Sequence, residues 1–192
     1  MVAGGLIILA ACSKSADIYE WQEEVTLSDG STIVATQRRS CELAVQGNDS
    51  FGCTEREAWI TLDLPRFSSS PIVWHENLHP RILNVFNGRL YVVGEPPTSR
   101  ESRLYGVYGK PVSPYISFVW EGGKWTRLPI TQVPDAIYPT NMLIEGIPPK
   151  GVKLLTLALK ASPRVSGNPR YDRDQKRVDP SYVEKTVPQG NG

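Results

Sequence analysis

Ile82-Leu83-Asn84-Val85-Phe86-Asn87-Gly88-Arg89-Leu90-Tyr91-Val92-Val93 is the stretch that decides the fold. Two apolar runs, Ile82 to Phe86 and Leu90 to Val93, flank Asn87-Gly88. That pair is the preferred centre of a type I′ turn, because both of its residues must take positive φ. The stretch predicts an antiparallel hairpin, and much of the chain repeats its pattern.

Upstream, Tyr19 to Val45 reads as the first structured block. Val25 and Leu27 alternate with Glu24 and Thr26, Ser28-Asp29-Gly30-Ser31 supplies a hairpin turn, and Ile33 to Arg39 returns as a second strand. Its Gln37-Arg38-Arg39 end reads as solvated. Ala58 to Leu64 follows, with Ile60, Leu62 and Leu64 on one face and Trp59, Thr61 and Asp63 on the other. Pro65 and Ser68-Ser69-Ser70-Pro71 stop it.

Downstream, Leu104 to Tyr108 is predicted as a short strand closed by Gly109-Lys110-Pro111. Tyr115 to Trp120 and Lys124 to Leu128 pair across Glu121-Gly122-Gly123, which sets Trp120 opposite Trp125. Gln132 to Pro148 is punctuated by proline, with helical turns expected around Ala136 and Asn141-Met142-Leu143. Leu155, Leu157 and Leu159 alternate with Thr156 and Ala158 as a last strand, a helix being the alternative. From Ser162 the chain turns polar and charged, as an extended tail does. Sixteen Gly and sixteen Pro leave room for many turns and few long helices. The expected fold is all-β, an antiparallel sandwich or curved meander with short helical turns.

Met1 to Ala11 is uncharged and apolar, and Leu9-Ala10-Ala11-Cys12 closes it. An apolar run ending in small residues is the form of a secretory signal, and it is far shorter than the ~20 apolar residues that span a bilayer. The ending resembles the bacterial lipobox, in which the cysteine thiol receives a diacylglycerol before the preceding peptide is cut away. No Lys or Arg precedes Lys14, so either translation starts upstream or the signal is unusually short. The expected organisation is a signal peptide with a helical h-region over 1–11, a tether over 12–20, a β-rich domain over 21–161 and a polar tail over 162–192. Each buried CH₂ of the acyl chains contributes ~0.8 kcal/mol of membrane affinity, so two chains hold firmly. Ser13 follows the lipidated position, and by resemblance to Gram-negative lipoproteins a residue other than aspartate there implies the outer membrane.

A net charge of +1 gives no reason to expect nucleic acid as a partner. A hydrophobic content of 40% is enough for a core. With Cys12 carrying lipid, Cys41 and Cys53 remain for a disulfide, around a turn-rich loop from Glu42 to Gly52. Such a bridge contributes ~3 kcal/mol in the chain-entropy model. The alternative is two unpaired thiols.

His75-Glu76-Asn77-Leu78-His79 has the letters of a zinc-peptidase motif, which needs both imidazoles on one helical face and the glutamate as base. Pro71 and Pro80 deny it a sustained helix, and no further histidine supplies a third ligand. An exposed, shape-determining loop is the expectation, with zinc at His75 and His79 as the alternative. No nucleophile elbow, phosphate-binding loop or dinucleotide fingerprint appears. Glu23 and Glu24 point to opposite faces of a strand and cannot converge on one atom. No catalytic residue and no cofactor is therefore expected.

Three stretches carry a resemblance. They are Trp21 to Gly30 with Ile33; Trp74, Leu78, Pro80 and Leu83 ahead of Leu90 to Val93; and Pro114-Tyr115 to Phe118 with Gly123-Lys124-Trp125 and Asn141-Met142-Leu143. Together they resemble an uncharacterised proteobacterial family of lipoproteins and secreted proteins, over roughly 21–160. In that pattern His75, Glu76 and His79 look like variable positions, and the family implies no activity. The expected function is a non-enzymatic binding or structural module, lipid-anchored through Cys12 to the envelope and facing the periplasm beside an envelope protein partner. A small zinc hydrolase is the alternative. Trp59, Trp74, Trp120 and Trp125 are candidate contact residues, although a tryptophan in a small β-domain is more often core.

Overall fold

The computed structural model of the chain describes residues 16–46, 50–143, 147–165 and 176–183, with backbone alone over 43–46 and 50–53. The protein is mostly β, with two sheets face to face. One is five-stranded, in the order β4-β3-β2-β1-β9: β1 Asp17–Thr26, β2 Thr32–Gln46, β3 Ser50–Leu62, β4 Ile72–Glu76 and β9 Leu154–Leu155. The other is four-stranded, in the order β5-β6-β7-β8: β5 His79–Phe86, β6 Arg89–Glu95, β7 Ile116–Glu121 and β8 Lys124–Leu128. All pairings are antiparallel except β9, which lies parallel to β1.

The hairpin at Asn87-Gly88 forms as its residues require, with φ of +49° and +72°. Gly122-Gly123 makes the equivalent turn between β7 and β8, and Trp120 pairs with Trp125 edge to face at 5.4 Å. The runs on either side of Asn87-Gly88 are apolar on both faces apart from Asn84, because β5 and β6 are covered on both sides. Leu83, Val85, Leu90 and Val92 pack with Ile60, Leu62, Ile72 and Trp74 of the first sheet. Ile82, Tyr91 and Val93 face the other way, under Ile130, Val133, Ile137 and Tyr138. Those last residues lie in or beside 3₁₀ turns at Ile130–Gln132 and Asp135–Ile137.

The structure corrects several expectations. Leu104 to Tyr108 is not a strand: a short helix, α1, runs Ser99–Leu104, and turns follow it. Thr98 caps α1 by accepting from the Arg100 N–H and donates to Glu101, a capping interaction that outweighs the local apolar letters. Asn141-Met142-Leu143 is not helical but irregular, with a bend at Met142, and Asn141 hydrogen-bonds both sheets instead of its own backbone. The last apolar alternation splits into β9 and a single helical turn, α2 Leu157–Lys160, capped by Thr156. Only Leu155 of its three leucines is buried.

The supposed loop between Cys41 and Cys53 is a hairpin arm, since β2 runs on to Gln46 and β3 begins at Ser50. Among the described residues the first strand begins at Asp17, inside the expected tether. Parts of the expected tail are docked. Val165 packs with Trp21, Leu143 and Leu155, and Val178 packs under β5 and β6 with its N–H on Tyr138 O. The segment expected to be a signal peptide, 1–11, and Cys12 lie outside the described residues.

Candidate functional site

The H-E-x-x-H segment spans two strands of different sheets. β4 ends at Glu76, Asn77-Leu78 turns the chain, and β5 opens at His79. The exposed-loop expectation fails for His79, which is 6% exposed, whereas His75 faces solvent. The helix that would set both imidazoles on one face is not formed. Among the described residues no group of three or more His, Cys, Asp or Glu is placed to hold a metal ion. The turn is tight because β6 passes beneath it: a Cβ on Gly94 would lie 3.0 Å from Leu78 Cβ and 3.1 Å from His79 O.

His75 completes a ladder on the outer face of the first sheet. Its ring stacks on Trp59 at 4.4 Å, and the Arg38 guanidinium lies 4.9 Å from the Trp59 ring centroid. The register puts Arg38 opposite Trp59 and Trp59 opposite His75. Arg38 on β2 and His75 on β4 thus flank the indole from both neighbouring strands. A sugar or base that stacks on a tryptophan needs a free ring face, and His75 already occupies one face of Trp59. Glu57 lies 3.3 Å from His75 Nε2.

Of the other candidate tryptophans, Trp74 is fully buried against Phe118. Trp120 and Trp125 are half-buried, and Trp125 donates its indole N–H to Val73 O at 2.9 Å. Beside them the Tyr105 hydroxyl donates to Glu76 at 2.6 Å and accepts from the Asn77 N–H at 2.9 Å. Burial, then the Glu76 carboxylate, pushes the Tyr105 phenol well above its ordinary range.

His79 belongs to a chain of polar groups sealed inside the fold. Lys160 Nζ donates to Glu23 at 2.8 Å; Gln37 Nε2 donates to Glu23; Arg39 donates to Gln37. Arg39 Nε then lies 3.4 Å from Glu55, whose same oxygen is 2.9 Å from His79 Nδ1. Glu23, Gln37, Arg39, Glu55 and His79 are all buried. Arg39 is also 5.2 Å from the Trp21 ring centroid. The expected solvated end at Gln37-Arg38-Arg39 is therefore wrong for Gln37 and Arg39, and right for Arg38.

Burial opposes the charge on Glu55, but the neighbouring His79 and Arg39 outweigh it and hold its carboxyl below the usual range. Burial lowers the Arg39 guanidinium, and Glu55 and Glu23 act against that. Trp21 Nε1, Arg39 Nε, Glu55 Oε1 and His79 Nε2 have no hydrogen-bond partner among the described residues. Glu55 and His79 have the chemistry of a carboxylate–imidazole base, yet neither lines the cleft of about 460 Å³ formed by Ser28, Asp29, Arg66, Phe67 and the Asn87-Gly88 turn.

The phase of the strands was the available signal for these residues. Trp21, Glu23, Val25 and Leu27 share a face, as do Ala35, Gln37 and Arg39, so each polar member continues an inward row. Cys41 is fully buried and disulfide-bonded. The Cys53 side chain lies outside the described residues, while its backbone pairs with Leu43, one residue past Glu42 on the arm. No family model matches the chain, and neither a curated protein nor a solved structure matches it.

Proposed function

We propose that the chain is a non-enzymatic lipoprotein of the bacterial envelope. Cys12 receives lipid, residues 1–11 are removed, and the two-sheet domain is held on the outer membrane facing the periplasm. There it serves as a binding or structural module for an envelope protein.

The observation that carries this reading is the position of the lipobox-like Leu9-Ala10-Ala11-Cys12. Ser13, Lys14, Ser15 and Ala16 alone separate the cysteine from β1. A lipidated Cys12 would hold the sheets close to the bilayer with no intervening domain. The disulfide at Cys41 supports an oxidising compartment, since such bonds persist outside the cytosol. Pairing of Cys41 with Cys53 would leave Cys12 for the lipid. The placement of His75 outside and His79 inside, against the buried Glu55 carboxylate, supports a binding role over zinc hydrolysis. A base buried away from solvent cannot reach a substrate proton.

Metabolic labelling with an alkyne analogue of palmitate tests the reading. The wild-type chain is expected to take up label and to sediment with the membrane. Cys12→Ala is expected to lose the label and become soluble. Equal labelling of the two, or none in either, would contradict it.

A further inference from the structure

Among the described residues, three edges of the two sheets have hydrogen-bond partners, fewest along β4, and the fourth has none. Along β1, the Gln22 N–H donates to Lys153 O at 2.8 Å, Lys160 Nζ donates to Glu24 O at 2.8 Å and Asn141 Nδ2 donates to Thr26 O at 2.9 Å. Along β5, the Asn141 side chain accepts from the Leu83 N–H and donates to Leu83 O, and the Asn141 and Met142 N–H groups reach Arg81 O. Along β4, Trp125 Nε1 donates to Val73 O and the Tyr105 hydroxyl takes the Asn77 N–H.

β8 is different. Its two-residue turn makes Glu121 and Lys124 the hydrogen-bonded pair next to the turn, so Trp125 and Arg127 direct their N–H and C=O groups away from β7. Among the described residues nothing hydrogen-bonds those backbone groups. Lys124, Thr126 and Arg127 are exposed.

The charge around this edge is selective. Lys124 and Arg127 lie on the strand itself. Arg127 Nη2 reaches Tyr105 O at 3.4 Å, beside a segment that carries exposed Arg103 and Lys110. The nearby acids are engaged, Glu121 by Arg89 and Glu76 by Tyr105. Two copies joined at β8 would bring four strand cations together, two on each face of the joined sheet, with no acidic residue on either β8 to offset them. An extended segment with acidic side chains meets the same cations with opposite charge.

We propose that β8 is a strand-addition site for an extended acidic segment of a partner protein. The inference rests on the binding-module half of the proposed function and is independent of lipid on Cys12. A short charged edge also serves simply to keep strands unpaired, and the test separates the two roles.

The full chain is titrated with a blocked peptide of alternating glutamate and valine, and with its lysine counterpart, by calorimetry and amide NMR. The glutamate peptide is expected to bind and to shift the Trp125 and Arg127 amides; the lysine peptide is not. Arg127→Pro removes one outward N–H without touching the β7 ladder, and it is expected to weaken binding about tenfold. Arg127→Gln, which keeps the N–H, is expected to weaken it less. A glutamate peptide N-methylated along its pairing edge examines the same bonds with the protein unchanged, and it is expected not to bind. Equal binding of both charge types, binding indifferent to N-methylation, or no binding at millimolar peptide would overturn the proposal.

Discussion

His79 Nδ1 stands 2.9 Å from Glu55 Oε2, with both side chains sealed inside the protein and Arg39 on the same carboxylate oxygen. Removing one member of a buried ion pair strands the charges of the others. Glu55→Gln is expected to cost about 3–5 kcal/mol, read from urea unfolding at neutral pH.

The same carboxylate sets an acid limit. Because the folded protein holds Glu55 below its ordinary pKa, its contribution is complete above the unfolded carboxylate range. It is lost as the pH falls through the folded value. Stability followed from neutral to acid pH should decline in the wild type, and Glu55→Gln should lose this part of the slope. Parallel curves for the two proteins would count against the pair.

Tyr105 sets the opposite limit. Its phenol is held above the ordinary range, so its contribution is complete below the unfolded tyrosine pKa and lost as the pH rises past it. Tyr105→Phe deletes the bond to Glu76 and leaves the Asn77 N–H without its acceptor. The expected cost is about 1–3 kcal/mol near neutrality, shrinking in alkali. Thermal unfolding at a series of pH values measures it.

Asn141 joins the sheets through three backbone groups, the Leu83 N–H, Leu83 O and Thr26 O. Asn141→Ala leaves them unpaired, at a cost of about 2–4 kcal/mol. Asn141→Asp keeps an acceptor for Leu83 but loses the donors to both carbonyls, so it should not recover the loss. A chemical-denaturation series over the three proteins decides this.

Gly94 lets β6 pass under the Asn77-Leu78 turn. Gly94→Ala forces a methyl against Leu78 and the His79 carbonyl, and about 1–3 kcal/mol of destabilisation is expected. An unchanged unfolding midpoint would show that the turn yields easily.

The strand pattern was legible where turn chemistry and alternation agreed. Asn87-Gly88, Gly122-Gly123 and the row Ile60, Leu62, Leu64 each stand where local rules put them. Legibility failed where a tertiary partner reversed a local preference. Gln37 and Arg39 are polar, and what buries them is Glu23 and Glu55 on neighbouring strands. His79 lay in a segment that reads as an exposed loop, but its pairing with Glu95 makes it the buried start of a strand. Leu104 to Tyr108 looked like a strand because its letters are apolar, whereas the Thr98 cap and the buried Glu101 bonded to Arg56 create α1 just before it. The outer ladder of Arg38, Trp59 and His75 needed three strands in register, which no single stretch of sequence displays.

Intact-mass analysis of the protein from native cells, followed by disulfide mapping, tests the central claim most directly. The account predicts a chain that begins at Cys12 with acyl mass on that residue, and a peptide linking Cys41 to Cys53. A chain retaining residues 1–11 without acyl mass, or a bridge from Cys41 to Cys12, would contradict it.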